Sequence, residues 1–247
     1  KHLPLTGTPG DLTLTSTDVL LVTGGGKGIA TECALALATK TGAALALLGE
    51  LHEKLGDAVT TYELFPRIAL DLVCRHVPST RDPFDRAHPW YVLVEITLPQ
   101  TDSDLGARFE SALAAAIDRD AATDAVTAGS DAQREALWRL RESIPTGQRE
   151  EGPGLKHDVS VEPARLPRLI DEGGAIIERL APAARLIAYG HLGDGNLHSN
   201  VSAAAGDTAR TALMGAGGYL HWTLRSYAYM GAFAWLFEAG TGETVIA

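Results

Sequence analysis

The sequence is poor in cysteine, contains no long apolar segment and has no run of basic residues. Its two cysteines, Cys33 and Cys74, exclude a disulfide framework and are typical of a reducing compartment, so we expect a cytoplasmic protein. The start of the chain, KHLPLTGTPGDL, lacks the apolar core of a signal peptide. No uncharged run reaches the roughly 20 residues that a membrane-spanning helix requires, so we expect no membrane span.

Acidic residues outnumber basic ones, 31 to 21, and the formal net charge is −10. A chain with this balance and no basic cluster is a poor binder of phosphate backbones, so we expect no nucleic-acid partner. Hydrophobic residues make up 45% of the sequence, which is enough for a buried core. The length is compatible with one large domain or two small ones.

Three parts of the chain differ in composition. Residues 1–50 contain a Thr-, Pro- and Gly-rich lead, followed by an apolar stretch, a glycine turn, an alanine-rich stretch and a second apolar stretch. This order predicts a linker and a short β-α-β unit of Rossmann type. Residues 51–204 alternate strand-like and helix-like segments. Residues 205–247 form an aromatic-rich tail of unassigned role.

The middle part predicts an α+β domain. Residues 90–98, WYVLVEITL, are rich in β-branched and aromatic residues and predict a strand. Residues near 104–119 and 131–144 carry apolar side chains at helical spacing, and Ser130 and Gln133 have the spacing of a capping box at the start of the second helix. We expect an antiparallel sheet with helices packed on one face.

The segment YGHLGDGNLHSN predicts a β-hairpin. Asp194 and Gly195 between apolar stretches favour a two-residue turn, because such a turn requires positive φ at both central positions. That turn would place His191 directly opposite His198, with Cβ atoms roughly 4.5–5.5 Å apart. Two imidazoles on one face at this distance are able to share a divalent metal ion, and two hydrogen-bonded histidines beside a turn are the alternative. The same register directs Leu192 and Leu197 to the opposite, buried face.

These segments resemble the C-terminal (cap) domain of FAD-linked oxidases, the family that contains D-lactate, D-2-hydroxyglutarate and glycolate dehydrogenases. The resemblance covers about residues 52–204 and includes five stretches in the expected order. They are TYELFPRIALDLVCRH, HPWYVLVEIT, ALWRLRESIPTGQREEGPGLKHDVSV, PARLPRLI and GHLGDGNLHSN.

The resemblance implies roles for individual residues. Arg141 and Lys156 match the cations that hold the substrate carboxylate, and an arginine suits that role because its planar fork binds a carboxylate with two hydrogen bonds. Asn200 matches a polar group beside the substrate. His191 and His198 match two ligands of zinc or a similar divalent metal. The family's third metal ligand, a glutamate in a Glu-His-Gly motif, has no counterpart in this sequence, and the catalytic residue is therefore unknown.

The start of the chain offers a second resemblance. Residues 16–49 are similar to the start of a polyketide-synthase ketoreductase, a member of the short-chain dehydrogenase class. This resemblance implies that Gly24 and Gly28 cradle the pyrophosphate of NAD(P) at a helix N-terminus and that Glu50 binds its ribose. The Tyr-x-x-x-Lys pair of that class does not occur in the sequence.

The sequence therefore predicts the substrate- and metal-binding portion of an FAD-dependent 2-hydroxy acid dehydrogenase. A separate flavin-binding domain, supplied by another chain, would complete it and bring the FAD. The alternatives are an NAD(P)-dependent ketoreductase-like protein and a non-catalytic scaffold that retains these folds.

Overall fold

A computed structural model describes residues 19–24, 31–37, 41–97, 104–119, 122–152, 154–203 and 233–239. Eight strands and six α-helices lie within these ranges. The strands are β1 (Val19–Gly24), β2 (Thr31–Leu37), β3 (Val59–Pro66), β4 (Trp90–Thr97), β5 (Gly154–Ser160), β6 (Arg185–His191), β7 (Asn196–Ser202) and β8 (Phe233–Ala239). The helices are α1 (Thr41–Leu55), α2 (Arg67–His76), α3 (Leu105–Asp118), α4 (Asp131–Glu142), α5 (Ile144–Glu151) and α6 (Leu166–Leu180).

The strands form one sheet in the order β1-β2-β4-β3-β6-β7-β5-β8. Every neighbouring pair is antiparallel. The expected α+β class with an antiparallel sheet is confirmed, and the strand predicted at residues 90–98 is β4. β8 brings part of the aromatic tail into the sheet beside β5.

The first face of the sheet packs against α1, α3 and α6. Phe109 and Leu113 of α3 are buried there together with Val92 and Val94 of β4. These side chains meet because helix residues four apart share one stripe, while alternate strand residues share one face. The helix predicted near 104–119 is therefore confirmed, and its apolar stripe forms the larger core.

The second face carries another set of helices, α2, α4 and α5. Leu137, Leu140 and Ile144 are buried against Leu93 and Ile187 of the sheet. Helices therefore cover both faces of the sheet, and the expectation of helices on one face only is wrong, because both faces of the central strands carry apolar side chains that need cover. The start of α4 is capped as predicted, because the Ser130 hydroxyl accepts a hydrogen bond from the Gln133 backbone N–H at 3.3 Å.

The prediction of a β-α-β unit is wrong. The alanine-rich segment expected as its helix contains β2, which pairs antiparallel with β1, and the second expected strand lies inside α1. Short alanine- and leucine-rich stretches fit either period, so tertiary packing decides between them. In α1, apolar side chains spaced three or four apart enter the first-face core, namely Ala44, Leu47, Leu48, Leu51 and Leu55.

The domain boundaries stay predictions, and the one expected between residues 50 and 51 falls within α1. Among the helices of the described ranges, none has the length and apolar character needed to cross a membrane.

Candidate functional site

The hairpin of β6 and β7 has a different register from the predicted one. His191 lies opposite Asn196, and Tyr189 lies opposite His198. The expected pairing of the two histidines is therefore wrong by two residues. Because side chains alternate with a period of two, a shift of two residues still leaves both histidines on the second face of the sheet.

The connection is longer than two residues because Leu192 leaves the β6–β7 ladder. Its backbone N–H donates to the Tyr62 carbonyl of β3 at 3.1 Å, and its side chain is fully buried in the first-face core. Residues 192–195 then close the hairpin, with the Asp194 carboxylate accepting from the Asn196 N–H at 3.0 Å. The predicted burial of Leu192 and Leu197 is confirmed.

Each histidine has a carboxylate beside its Nδ1 atom. His191 Nδ1 lies 2.9 Å from Glu63 Oε1, and His198 Nδ1 is hydrogen-bonded to Asp158 Oδ1. Since an ionised carboxylate only accepts hydrogen bonds, His198 Nδ1 acts as the donor to Asp158. The contact of His191 Nδ1 with Glu63 favours a proton on the same nitrogen, and a neutral ring with its proton there presents its Nε2 lone pair. The two side chains are 50% and 38% exposed, so those lone pairs are open to a ligand.

This arrangement fits metal-binding imidazoles in part. Ligating histidines usually donate their other N–H to a carboxylate, which sets the tautomer and the ring orientation. A catalytic zinc site, however, takes three protein ligands, and no group of three metal-binding side chains occurs within the described ranges. The described residues therefore offer at most two imidazole ligands.

Arg141 lies at the centre of the second face. Its Nε donates to Glu63 Oε2 at 2.7 Å, and its guanidinium carbon lies 4.9 Å from the centre of the Tyr189 ring. The side chains of Arg141 and Glu63 are 10% and 2% exposed. Burial is the main cause that raises the pKa of Tyr189 to about 12, so its hydroxyl keeps its proton at physiological pH.

Asn200 and Lys156 lie farther along the same face. Asn200 is buried, donates to Gln148 Oε1 at 3.0 Å and accepts from the His157 N–H at 3.2 Å. Asn200 and Lys156 line a pocket of about 10 Å³ together with Gln148. A pocket of this size accommodates about one water molecule, so it is too small for an organic acid.

Three side chains at seven-residue intervals connect α4 and α5 to the sheet. Arg134 reaches Glu95 of β4 at 3.6 Å, Arg141 reaches Glu63 of β3, and Gln148 reaches Asn200 of β7. Seven residues are close to two helical turns, so Arg134 and Arg141 share one side of α4, and Gln148 reaches the same face of the sheet from α5. The structure thus brings the predicted residues Arg141, Lys156, Asn200, His191 and His198 to one face.

Sequence reasoning missed three members of this polar cluster, Glu63, Asp158 and Gln148. Each lies at a position where the alternation or the helical stripe points toward the second face. A polar residue between buried neighbours, as in TYELF, was the available signal. It was not decisive because the partner lies far away in the sequence, 78 residues for Glu63 and Arg141.

Of the residues expected to bind a dinucleotide, the two that the structure describes, Gly24 and Glu50, lie in elements other than the expected ones. Gly24 ends β1, and Gly28 falls outside the described residues. Glu50 lies in the middle of α1 and forms an ion pair with Arg119. A pyrophosphate cradle requires a strand that leads into a helix N-terminus, whereas β1 pairs antiparallel with β2.

A larger groove of about 350 Å³ lies beside α4. Its lining includes three carboxylates, Glu95, Glu135 and Glu142, together with Arg134 and Trp138. Arg134 is already within 3.6 Å of Glu95, so the groove is dominated by negative charge. It is therefore unsuited to an anionic substrate.

Comparisons with known proteins agree with the first resemblance. The family model for FAD linked oxidases, C-terminal domain, matches residues 30–217. The mitochondrial D-2-hydroxyglutarate dehydrogenase of Arabidopsis thaliana is 31% identical over 158 residues, which are 64% of this chain and 28% of the plant protein. The Bos taurus protein of the same name is 37% identical over 160 residues, covering 63% and 28%.

A bacterial relative, the D-2-hydroxyglutarate dehydrogenase of Xanthomonas citri pv. viticola, is 34% identical over 140 residues, or 57% of this chain and 29% of that protein. The chain thus spans less than a third of the length of these relatives. The matches lend no support to the ketoreductase resemblance.

Proposed function

Because this chain belongs to the family of FAD-linked oxidase C-terminal domains, we propose that it binds the substrate of an FAD-dependent 2-hydroxy acid dehydrogenase. The observation that carries the proposal is the buried Arg141, held by Glu63 on the sheet face that also carries the two histidines. An arginine with a fixed orientation is a suitable receptor for a carboxylate.

The proposed roles follow from the chemistry of each group. Arg141 and Lys156 bind the substrate carboxylate. Asn200 is buried and hydrogen-bonded to Gln148 and to the His157 N–H, so it contributes to the polar surroundings of the bound acid without enclosing it in a pocket. When uncharged, the imidazoles of His191 and His198 offer Nε2 lone pairs that accept the proton of the substrate hydroxyl or bind a metal ion. A flavin domain supplied by another chain would hold the FAD, which would supply the acceptor for the hydride on the carbon that bears the hydroxyl.

We also propose that the two histidines bind a divalent metal such as zinc. The carboxylates at the Nδ1 atoms of both histidines support it. A bound metal would lower the pKa of the substrate hydroxyl, as it does for water. With two ligands among the described residues, we expect weak binding that leaves coordination positions for water or substrate.

The substrate class is a small 2-hydroxy acid, and the names of the relatives make D-2-hydroxyglutarate the first compound to test. Calorimetric titration of the 247-residue chain with the D enantiomer should show saturable binding, with the L enantiomer as control. Mixing the chain with a separately purified FAD-binding domain of a relative should then bleach the flavin absorbance when the D acid is added. Absence of binding and of flavin reduction would contradict the proposal.

The ketoreductase alternative has lost its structural basis with the β-α-β unit, and no described feature favours a scaffold over an enzyme. A cytoplasmic location stays a proposal, and the relatives from Arabidopsis thaliana and Bos taurus carry the word mitochondrial in their names. Fractionation of cells that express the chain, followed by immunodetection, tests the location directly.

A further inference from the structure

We propose that Glu63 is a positioning residue that orients the substrate-binding Arg141 and the imidazole of His191 with a single buried carboxylate. This inference rests on the proposed function, because it concerns how the same site is held ready for a 2-hydroxy acid. Glu63 touches no substrate in this proposal and acts only through its two partners.

The geometry assigns one carboxylate oxygen to each partner. Oε2 accepts from Arg141 Nε at 2.7 Å, and Oε1 lies 2.9 Å from His191 Nδ1. Glu63 and His191 are also direct register partners across β3 and β6. Three elements, β3, α4 and β6, therefore meet at one side chain that is 2% exposed.

The bond to Arg141 decides which edge of the guanidinium remains for a ligand. With Nε used by Glu63, the two terminal nitrogens are left to face an incoming carboxylate. The Tyr189 ring lies against the guanidinium, 4.9 Å from its carbon to the ring centre. The plane of the fork is thus set by Glu63 and Tyr189 before a substrate arrives, which reduces the entropy that binding would otherwise lose.

The contact with His191 favours one tautomer. A carboxylate oxygen 2.9 Å from Nδ1 stabilises a proton on that nitrogen, so Nε2 of a neutral ring is then an acceptor or ligand. Without that acceptor the ring is free to place its proton on Nε2. Such a ring could neither take the hydroxyl proton of a substrate at Nε2 nor bind a metal there.

A carboxylate is required for both tasks together. Glutamine has the same shape but offers one acceptor oxygen and a donating NH₂ group, so it cannot accept the hydrogen bond from Arg141 and also place a negatively charged oxygen beside His191 Nδ1. Aspartate keeps the charge but is one methylene shorter, so it cannot keep both contacts at their present length. Glu63→Gln and Glu63→Asp therefore separate loss of charge from loss of reach.

Glu95 provides a matched control. It lies on the neighbouring strand β4 and pairs with Arg134, which precedes Arg141 by seven residues on the same helix. The Glu95–Arg134 contact, 3.6 Å, is longer than the Glu63–Arg141 contact, 2.7 Å. The side chain of Glu95 is 17% exposed, compared with 2% for Glu63. Glu95→Gln and Glu95→Asp thus remove a similar glutamate–arginine contact without touching a histidine.

The test combines substrate affinity with the tautomer of His191. Calorimetry with D-2-hydroxyglutarate should show about tenfold or greater weakening for both Glu63 variants, the loss expected for a misplaced charge-assisted hydrogen bond. The Glu95 variants should bind within about twofold of the original chain. Nitrogen-15 NMR of the imidazoles at alkaline pH should show the Nδ1–H tautomer of His191 in the original chain and its loss in Glu63→Gln.

The outcomes are distinguishable. If the unmodified chain binds no 2-hydroxy acid, the proposed function fails and the inference fails with it. If the unmodified chain binds and Glu63→Asp binds equally well, or Glu63→Gln binds more tightly, Glu63 contributes charge and not position, and the inference alone fails. An Nε2–H tautomer of His191 in the unmodified chain overturns it as well, and this measurement does not depend on the folding of any variant.

Discussion

The guanidinium of Arg141 lies over the ring of Tyr189, with 4.9 Å between the guanidinium carbon and the ring centre. The arginine comes from α4 and the tyrosine from β6, so the contact fastens a helix to the sheet. A cation over an aromatic face is attracted by the ring's quadrupole, and more strongly when both groups are shielded from water. The side chain of Arg141 is 10% exposed. Contacts within the folded protein therefore determine where its charge lies.

Arg141→Ala should weaken the binding of D-2-hydroxyglutarate by about 1.5–3 kcal/mol, the contribution typical of a hydrogen bond to a charged group. Calorimetric titration measures this loss. Arg134→Ala is the control, because Arg134 lies on the same side of α4 and has its own glutamate partner. Equal affinities of the Arg141 variant and the original chain would remove Arg141 from the substrate site.

The two histidines should bind zinc weakly. After dialysis, metal analysis should find less than one tightly held ion per chain, and His198→Ala should abolish the remaining binding. The same change should alter the free energy of unfolding by less than about 1 kcal/mol, because His198 is part-exposed and its pairing with Asp158 is screened by solvent. His52→Ala, an exposed histidine on α1, should leave metal binding unchanged. Stoichiometric zinc after dialysis would instead reveal a third ligand outside the described residues.

Gly195→Ala should destabilise the protein by more than about 2 kcal/mol. Gly195 has a φ of +77°, and an added Cβ would collide with the carbonyl oxygen of Val161. Gly193→Ala, two residues earlier, should be far milder, since its Cβ would meet nothing closer than a Leu48 methyl at 3.8 Å. Urea denaturation of the two variants provides the comparison. Similar midpoints for both would mean that the hairpin loop adapts to a side chain at either position.

Stability at acid pH should depend on Glu151. Hydrogen bonds from His76 first, then from Arg185 and Arg75, lower the pKa of this carboxyl from 4.5 to about 2, against the opposing effect of burial. Because the folded-state pKa is the lower one, the stabilisation is fully present above pH 4.5 and is lost as the pH falls toward 2.

Glu151→Gln should therefore lower stability at neutral pH and flatten its decline in that acid range, as measured by denaturant unfolding at a series of pH values. Glu150→Gln is the matched neighbour, because the Glu150 side chain is 55% exposed beside Arg149. An unchanged acid profile for Glu151→Gln would show that other carboxyl groups dominate the acid response.

The sequence by itself determined the regular elements of the middle of the chain. β4 is rich in β-branched and aromatic residues, and α3 carries its apolar residues at the helical period of 3.6. Neither signal depends on distant partners. The motif of the hairpin was sufficient to place both histidines on one face, because any register shift by an even number preserves the face. The family resemblance was likewise readable from contiguous motifs.

Only the tertiary structure decided between helix and strand in β2 and α1, where short apolar segments fit both periods and the neighbouring layer selects one. It also decided the register of the hairpin, since burying Leu192 against β3 withdraws that residue from the β6–β7 ladder. The partners of the site, Glu63 for Arg141 and Asp158 for His198, are 78 and 40 residues apart. Such contacts depend on how strands and helices pack together, and local sequence patterns carry no information about that packing.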